Sequence, residues 1–120
     1  MVPKGRPLTD AERATLDRLL ESGSSRAAAL RKQLPVTTVA GRCDCGCPSV
    51  YLRVDGRHVS TETIEVLYES ELQVVGDDEE PVADVLLFLK SDTLHYLEYV
   101  SHNGEQPQSW PDPSRLRKAN

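Results

Sequence analysis

The sequence contains no long apolar run. A membrane-spanning helix requires about 18 consecutive apolar residues, and no segment of the sequence approaches that length. Residues 1–7 also lack the apolar centre of a secretion signal. We therefore expect a cytoplasmic protein that does not interact with membranes.

Dense clusters of lysine and arginine are also missing. The chain has 14 basic and 19 acidic side chains, a net charge of -5, and this balance argues against nucleic-acid binding. Residues 1–60 carry a net charge of +4 and residues 61–120 a net charge of -9. The acidic half contains the run Asp77, Asp78, Glu79 and Glu80. This run predicts a surface that attracts a basic partner, although such runs are also typical of solvated loops.

The common catalytic motifs are absent as well. The sequence has no glycine-rich phosphate loop, no G-x-S-x-G and no H-E-x-x-H. No residue is therefore assigned a catalytic role, and the sequence favours a protein that is not an enzyme.

The N-terminal third shows the pattern of two helices. Thr9 and Glu12 have the spacing of a capping box, which predicts the start of a helix that ends near Gly23. Ser24 or Ser25 can cap a second helix over residues 27–34. The sequence therefore predicts an N-terminal helical pair.

After Pro35 the apolar pattern changes to a period of two, which is typical of strands. The predicted strands cover residues 36–39, 50–54, 63–75, 83–90 and 93–101. We therefore expect a single α+β domain over residues 1–120, in which an antiparallel β-meander of about five strands follows the helical pair. Residues 1–7 are expected to be flexible. Residues 106–120 form a proline-rich tail, whose Trp110 is expected to pack on the body of the domain.

The three cysteines, Cys43, Cys45 and Cys47, lie within five residues. An odd number without partners elsewhere does not fit the disulfide framework of a secreted domain. A three-residue hairpin loop over residues 44–46 would place Cys43 opposite Cys47. In that register Val39 shares a face with the thiols, and Leu52 lies on the opposite face.

Three interpretations of this cysteine loop remain open. The loop can form a zinc site from its three thiolates and a fourth ligand, for which His102 is favoured over His58 and His95 because it ends a strand. The loop can instead carry a redox-active or nucleophilic thiol. In the third interpretation the cysteines only fit a tight turn and pack against their neighbours.

Three segments together resemble a family of small uncharacterised actinobacterial proteins. They are the helix end L-R-x-Q-L at residues 30–34, the run R-C-D-C-G-C-P-S-V at residues 42–50, and the hairpin that leads from L-x-x-L-E at residues 94–98 to W-P-D-P at residues 110–113. The family hairpin has Asp-Gly at its turn, where this chain has Ser91-Asp92. The resemblance implies a helical N-terminus followed by a β-meander, and it implies no activity.

Two functions follow as hypotheses. The first is a non-catalytic interaction protein, of the immunity or inhibitor kind, that binds a basic protein partner through its acidic half. The alternative is a zinc-binding or thiol-redox protein that uses the cysteine loop. An exposed edge strand would also allow a homodimer.

Overall fold

A computed structural model describes residues 6–21, 24–42, 48–55, 66–90, 92–104, 107 and 110–118, and for residues 66–70 it describes the backbone. Within these residues the chain has two α-helices, α1 (Asp10–Leu19) and α2 (Ser25–Arg31), and one antiparallel sheet. The seven strands are β1 (Arg6–Pro7), β2 (Thr37–Arg42), β3 (Val50–Val54), β4 (Val66–Val75), β5 (Pro81–Lys90), β6 (Thr93–Ser101) and β7 (Leu116–Lys118). The predicted α+β class is confirmed, with more strands than expected.

The capping box forms as the sequence predicts. The hydroxyl of Thr9 accepts a hydrogen bond from the backbone N–H of Glu12 at 3.1 Å, and the Glu12 carboxylate accepts one from the N–H of Thr9 at 2.9 Å. The hydroxyl of Ser24 caps α2 by accepting a hydrogen bond from the N–H of Ala27 at 3.0 Å. Gly23 lies outside the described residues. Within the part of the chain that the structure describes, no helix has the length and apolarity needed to cross a membrane.

The helix α2 ends earlier than predicted. It stops at Arg31, and a short 3-10 helix over Leu34–Val36 accommodates Pro35. The buried side chain of Gln33, between these two helices, donates to the carbonyl of Asp92 at 2.9 Å and accepts from the N–H of Leu94 at 3.0 Å. This amide therefore links the helical layer to the β5–β6 turn.

The strands are arranged in the order β1-β2-β3-β6-β5-β4-β7. The strands β4, β5 and β6 form a meander, and β3 pairs with β6. The two outermost strands were not predicted. Arg6 and Pro7, which the sequence placed in a flexible N-terminus, pair with β2, and Leu116–Lys118 in the tail pair with β4.

The predicted register of the β2–β3 hairpin is wrong. If Cys43 were opposite Cys47, Arg42 would pair with Pro48. In the structure Arg42 pairs with Val50 instead. A β-bulge between Val39 and Gly41 shifts the alternation by one residue, so that Val39 pairs with Leu52 and both are buried. The predicted pairing of Cys43 with Cys47 lies outside the described residues.

The helices cover one face of the sheet, which we call the inner face. Leu16, Leu20 and Leu30 of the helical layer belong to one hydrophobic core together with inner-face residues such as Leu87 and Leu97. Trp110, 6% exposed, belongs to the same core, and its ring makes an edge contact with Tyr99 at a centroid distance of 6.0 Å. The structure therefore has two layers, one of helices and one sheet.

One residue in the turn between β4 and β5 has a strained backbone conformation. Its ends are joined by a hydrogen bond from the N–H of Gly76 to the carbonyl of Glu80 at 2.9 Å. Glu79 has a φ of 60°, in the left-handed region where an L-residue with a Cβ atom is disfavoured. A glycine at this position would adopt the same backbone conformation without the steric cost.

We expect Glu79→Gly to raise the free energy of unfolding by about 0.5–1 kcal/mol, because it removes that steric cost. Asp78→Gly is the matched control, since it removes the same charge from the same turn at a residue without positive φ. The control should leave stability unchanged or lower it. Urea denaturation of both variants measures the difference, and equal effects would contradict the backbone explanation.

Candidate functional site

The acidic run forms the exposed turn between β4 and β5. Asp77 makes an ion pair with Arg115 at 2.6 Å, and its side chain is 90% exposed. Asp78, Glu79 and Glu80 make no ion pair with any residue that the structure describes. Three carboxylates of the turn therefore remain in water without a compensating cation from the described part of the chain.

The sheet also presents an outer face, opposite the helices. We define it by the side chains that alternate with the inner-face residues: Tyr51, Arg53, Asp84, Leu86, Phe88, Lys90, Tyr96, Glu98 and Val100. None of these side chains is fully buried, and Tyr51 and Val100 are 46% and 37% exposed. The inner-face residues Leu87 and Leu97 are 0% exposed.

Aromatic rings occupy the middle of the outer face. The rings of Tyr51 and Tyr96 lie 4.5 Å apart, and those of Phe88 and Tyr96 lie 6.3 Å apart. His95, beside the β-bulge of β6, makes an edge contact with Tyr51 at 6.0 Å. Burial and the nearby charge of Lys90 lower the pKa of His95 below its ordinary value of 6.5, so this ring is neutral at pH 7.

The charges on the outer face are separated by sign. Asp84 and Glu98 lie on the half nearer the acidic turn, because that turn immediately precedes β5 and Ala83 pairs with Ser101 at the end of β6. Lys90 and Arg53 lie on the other half. The aromatic patch therefore has an acidic border on one side and a basic border on the other.

The structure places His102 directly after β6 and beside the start of β5. Its Nε2 lies 3.0 Å from the Asp84 carboxylate, and its Nδ1 lies 3.4 Å from the carbonyl oxygen of Pro81. The hydrogen bond to Asp84 and the one to Pro81 raise the pKa of His102 above its ordinary value of 6.5. Both ring nitrogens thus have partners within the protein.

The predicted zinc and thiol sites cannot be built from these contacts. Cys43, Cys45, Cys47 and His58 lie outside the described residues. Among the residues that are described, no group of three or more metal-binding side chains comes together. To act as a zinc ligand, His102 would have to give up one of its two partners. The zinc site and the reactive thiol remain predictions.

A cavity of about 390 Å³ lies between the start of α1 and the β2–β3 end of the sheet. It is lined by Arg6, Thr9, Ala11, Glu12, Arg42, Pro48 and Trp110. The sequence offered no signal for this site, because Arg6 and Trp110 are far from each other along the chain. The capping role of Glu12 and the packing of Trp110 on the domain were expected from the sequence, but not their approach to each other.

A bidentate ion pair forms one wall of the cavity. Both oxygens of the Glu12 carboxylate accept from the Arg6 guanidinium at 2.9 Å, and Glu12 is 3% exposed. Burial alone would raise the pKa of Glu12, but the hydrogen bonds from Arg6 and Thr9 outweigh it and hold this pKa below its ordinary value of 4.5. Glu12 is therefore ionised and paired at neutral pH.

Comparison of the chain with protein-family models, with curated proteins and with solved structures gives no match in any of the three. The resemblance to the actinobacterial family therefore remains a prediction.

We expect Glu12→Gln to lower the free energy of unfolding by about 2 kcal/mol at pH 7, because the amide keeps the capping hydrogen bond but leaves the Arg6 charge unpaired. The difference from the wild type should shrink as the pH falls below 4.5, since the lowered pKa of Glu12 contributes stability that is lost when Glu12 is protonated. Chemical denaturation at several pH values measures both effects.

Glu21→Gln is the matched control for this prediction. Glu21 pairs with Arg18 at 2.8 Å, but both side chains are at least one-third exposed. This variant should change stability by less than about 0.5 kcal/mol. Equal losses in the two variants would contradict the special role of the buried pair.

We expect NMR titration to place the pKa of His102 above 6.5 and that of His95 below 6.5. Asp84→Asn should lower the pKa of His102 and leave that of His95 unchanged. Because a raised histidine pKa stabilises the fold at low pH, the Asp84–His102 contact should contribute below pH 6.5 and fade as the pH rises through the pKa of His102. A His102 pKa unaffected by Asp84→Asn would contradict this pairing.

Proposed function

We propose that the chain is a non-catalytic interaction protein that binds a basic protein partner through the outer face of its sheet and the adjoining acidic turn. The observation that carries this proposal is the aromatic patch of Tyr51, Tyr96 and Phe88, in which Tyr51 is exposed and the other two rings are half-buried, with acidic residues along one border. A binding surface needs both an apolar centre and a polar rim, and the outer face has this composition.

The aromatic patch supplies the apolar contact. Tyr51 is packed against Tyr96 before any partner binds, so these rings lose little conformational freedom on association. Tyrosine also suits a surface that is in water in the free protein and partly dry in a complex, because its ring is apolar and its hydroxyl is polar. Exposed Val100 extends the patch along β6.

The acidic turn supplies the preference for a basic partner. Asp78, Glu79 and Glu80 have no compensating cation among the described residues, and Asp84 and Glu98 add to the negative charge nearby. Such a surface accelerates association with a positively charged protein, and added salt weakens this effect. The strained conformation of Glu79 supports this role, since a carboxylate is present where glycine would be more stable.

Within this proposal the partner is a basic protein, such as a toxin, whose activity is masked when the complex forms. We do not base the proposal on pairing between an edge strand of this sheet and a strand of the partner. The edge strands β1 and β7 have two and three residues, and Pro7, Arg117 and Lys118 are residues that oppose edge-to-edge pairing. We therefore place the binding surface on the face of the sheet and not on its edges.

Site-specific photo-cross-linking in the native host tests the proposal. With a benzophenone amino acid in place of Tyr51, we expect a covalent adduct with a protein of positive net charge. The same probe in place of Arg13, an exposed residue of α1, should give no such adduct. Replacing Asp77, Asp78, Glu79 and Glu80 with their amides should slow association with that protein about tenfold or more at low salt.

The proposal fails if the probe at position 51 gives no adduct, if positions 51 and 13 capture the same proteins, or if the captured protein is acidic. An association rate that does not depend on salt would contradict the role of the acidic turn.

A further inference from the structure

The cavity beside α1 has the size and the lining of a small-molecule site. Its volume of about 390 Å³ lies in the range of ligand pockets, and it is separate from the outer face because α1 and Trp110 belong to the layer on the inner face. The nature of its ligand can be inferred from which polar groups of the lining are already paired.

The carboxylate of Glu12 is not available to a ligand. Its Oε1 accepts from Arg6 and from the N–H of Thr9, and its Oε2 accepts from Arg6. The charges of Arg6 and Glu12 also cancel each other. A cation would therefore find no free anionic group in this part of the lining.

Arg42 is the third charged residue of the described lining. Its guanidinium has no ion pair or hydrogen bond with any residue that the structure describes. The described lining residues therefore have a net charge of one positive unit, held by a planar group that can donate two parallel hydrogen bonds to a carboxylate.

Trp110 provides a second, independent observation that favours a ligand site. The side chain is 6% exposed, and its buried Nε1 has no hydrogen-bond acceptor among the described residues. Buried N–H groups in folded proteins nearly always have an acceptor. Trp110 lines the cavity, so an acceptor in the cavity would satisfy Nε1 once the lining shifts enough to uncover this buried atom.

Apart from Thr9, whose hydroxyl caps α1, the rest of the described lining is apolar. The indole ring of Trp110, the buried ring of Pro48 and the methyl group of Ala11 line the cavity. These surfaces favour a ligand with a flat or compact hydrocarbon body. A single unpaired guanidinium matches one negative charge better than the two charges of a phosphate monoester.

We propose that this cavity binds a small organic monocarboxylate with an apolar body, whose carboxylate is held by Arg42 and the Nε1–H of Trp110. This site is distinct from the protein-binding surface, and its occupancy does not depend on that surface.

Benzoate is the probe for this site, and Trp110 is the reporter. Trp110 is the single tryptophan of the chain, so its fluorescence and its indole N–H resonance report on the cavity without interference. We expect benzoate to change the fluorescence in a saturable way and to move the indole N–H resonance downfield, as expected when this group gains an acceptor. Benzamide, which has the same shape without the charge, should bind at least tenfold more weakly.

Arg42→Gln should weaken benzoate binding at least tenfold, and Arg42→Lys should have an intermediate effect because it keeps the charge but not the planar fork. Arg53→Gln, which removes an exposed arginine from the outer face, is the matched control and should bind benzoate as the wild type does. Circular dichroism of each variant confirms that the fold is retained.

The proposal is overturned if benzoate gives no saturable change at millimolar concentration, if benzamide binds equally well, or if Arg42→Gln and Arg53→Gln behave alike. An equal response to inorganic phosphate would show a simple anion site instead of a carboxylate site. These results are independent of the cross-linking at position 51, so either proposal can fail alone.

Discussion

One constraint shapes the molecule: two short helices pack against a much larger sheet. The helices α1 and α2 have ten and seven residues, whereas the sheet has seven strands. Their leucines, with those of the inner face, form one core, and burial of this apolar surface is the main source of stability. The helices leave the outer face uncovered, and its side chains are half-buried or exposed, with Tyr51 among the exposed ones.

The charged groups discussed above are either paired within the protein or without a partner among the described residues. Glu12 and Arg6 satisfy each other next to the core, and this pair fixes the entry of the chain into α1. The acidic turn and Arg42 are not compensated within the described residues. Uncompensated charge contributes little to folding, and the two proposals, of a protein partner at the turn and of a carboxylate ligand at Arg42, rest on these positions.

Local patterns in the sequence predicted the features that depend on local interactions. The capping box at Thr9 and the alternation along β5 define their elements because the relevant contacts lie within a few residues. The bulge after Val39 could not be predicted, since an inserted residue leaves the composition of the strand unchanged. The acidic turn was visible in the sequence, whereas the cavity depends on the long-range approach of Arg6 and Trp110, which no local pattern encodes.

The proposed function requires that the outer face of the free protein is open to solvent. The most direct test is NMR relaxation of side-chain protons by a soluble paramagnetic chelate, measured at several protein concentrations. With an open outer face we expect strong relaxation of Tyr51 and Val100 at all concentrations, and weak relaxation of Leu87 and Leu97, which are buried on the inner face. Protection of Tyr51 and Val100 to the level of Leu97 would contradict the claim, because the outer face would then be covered in the protein itself.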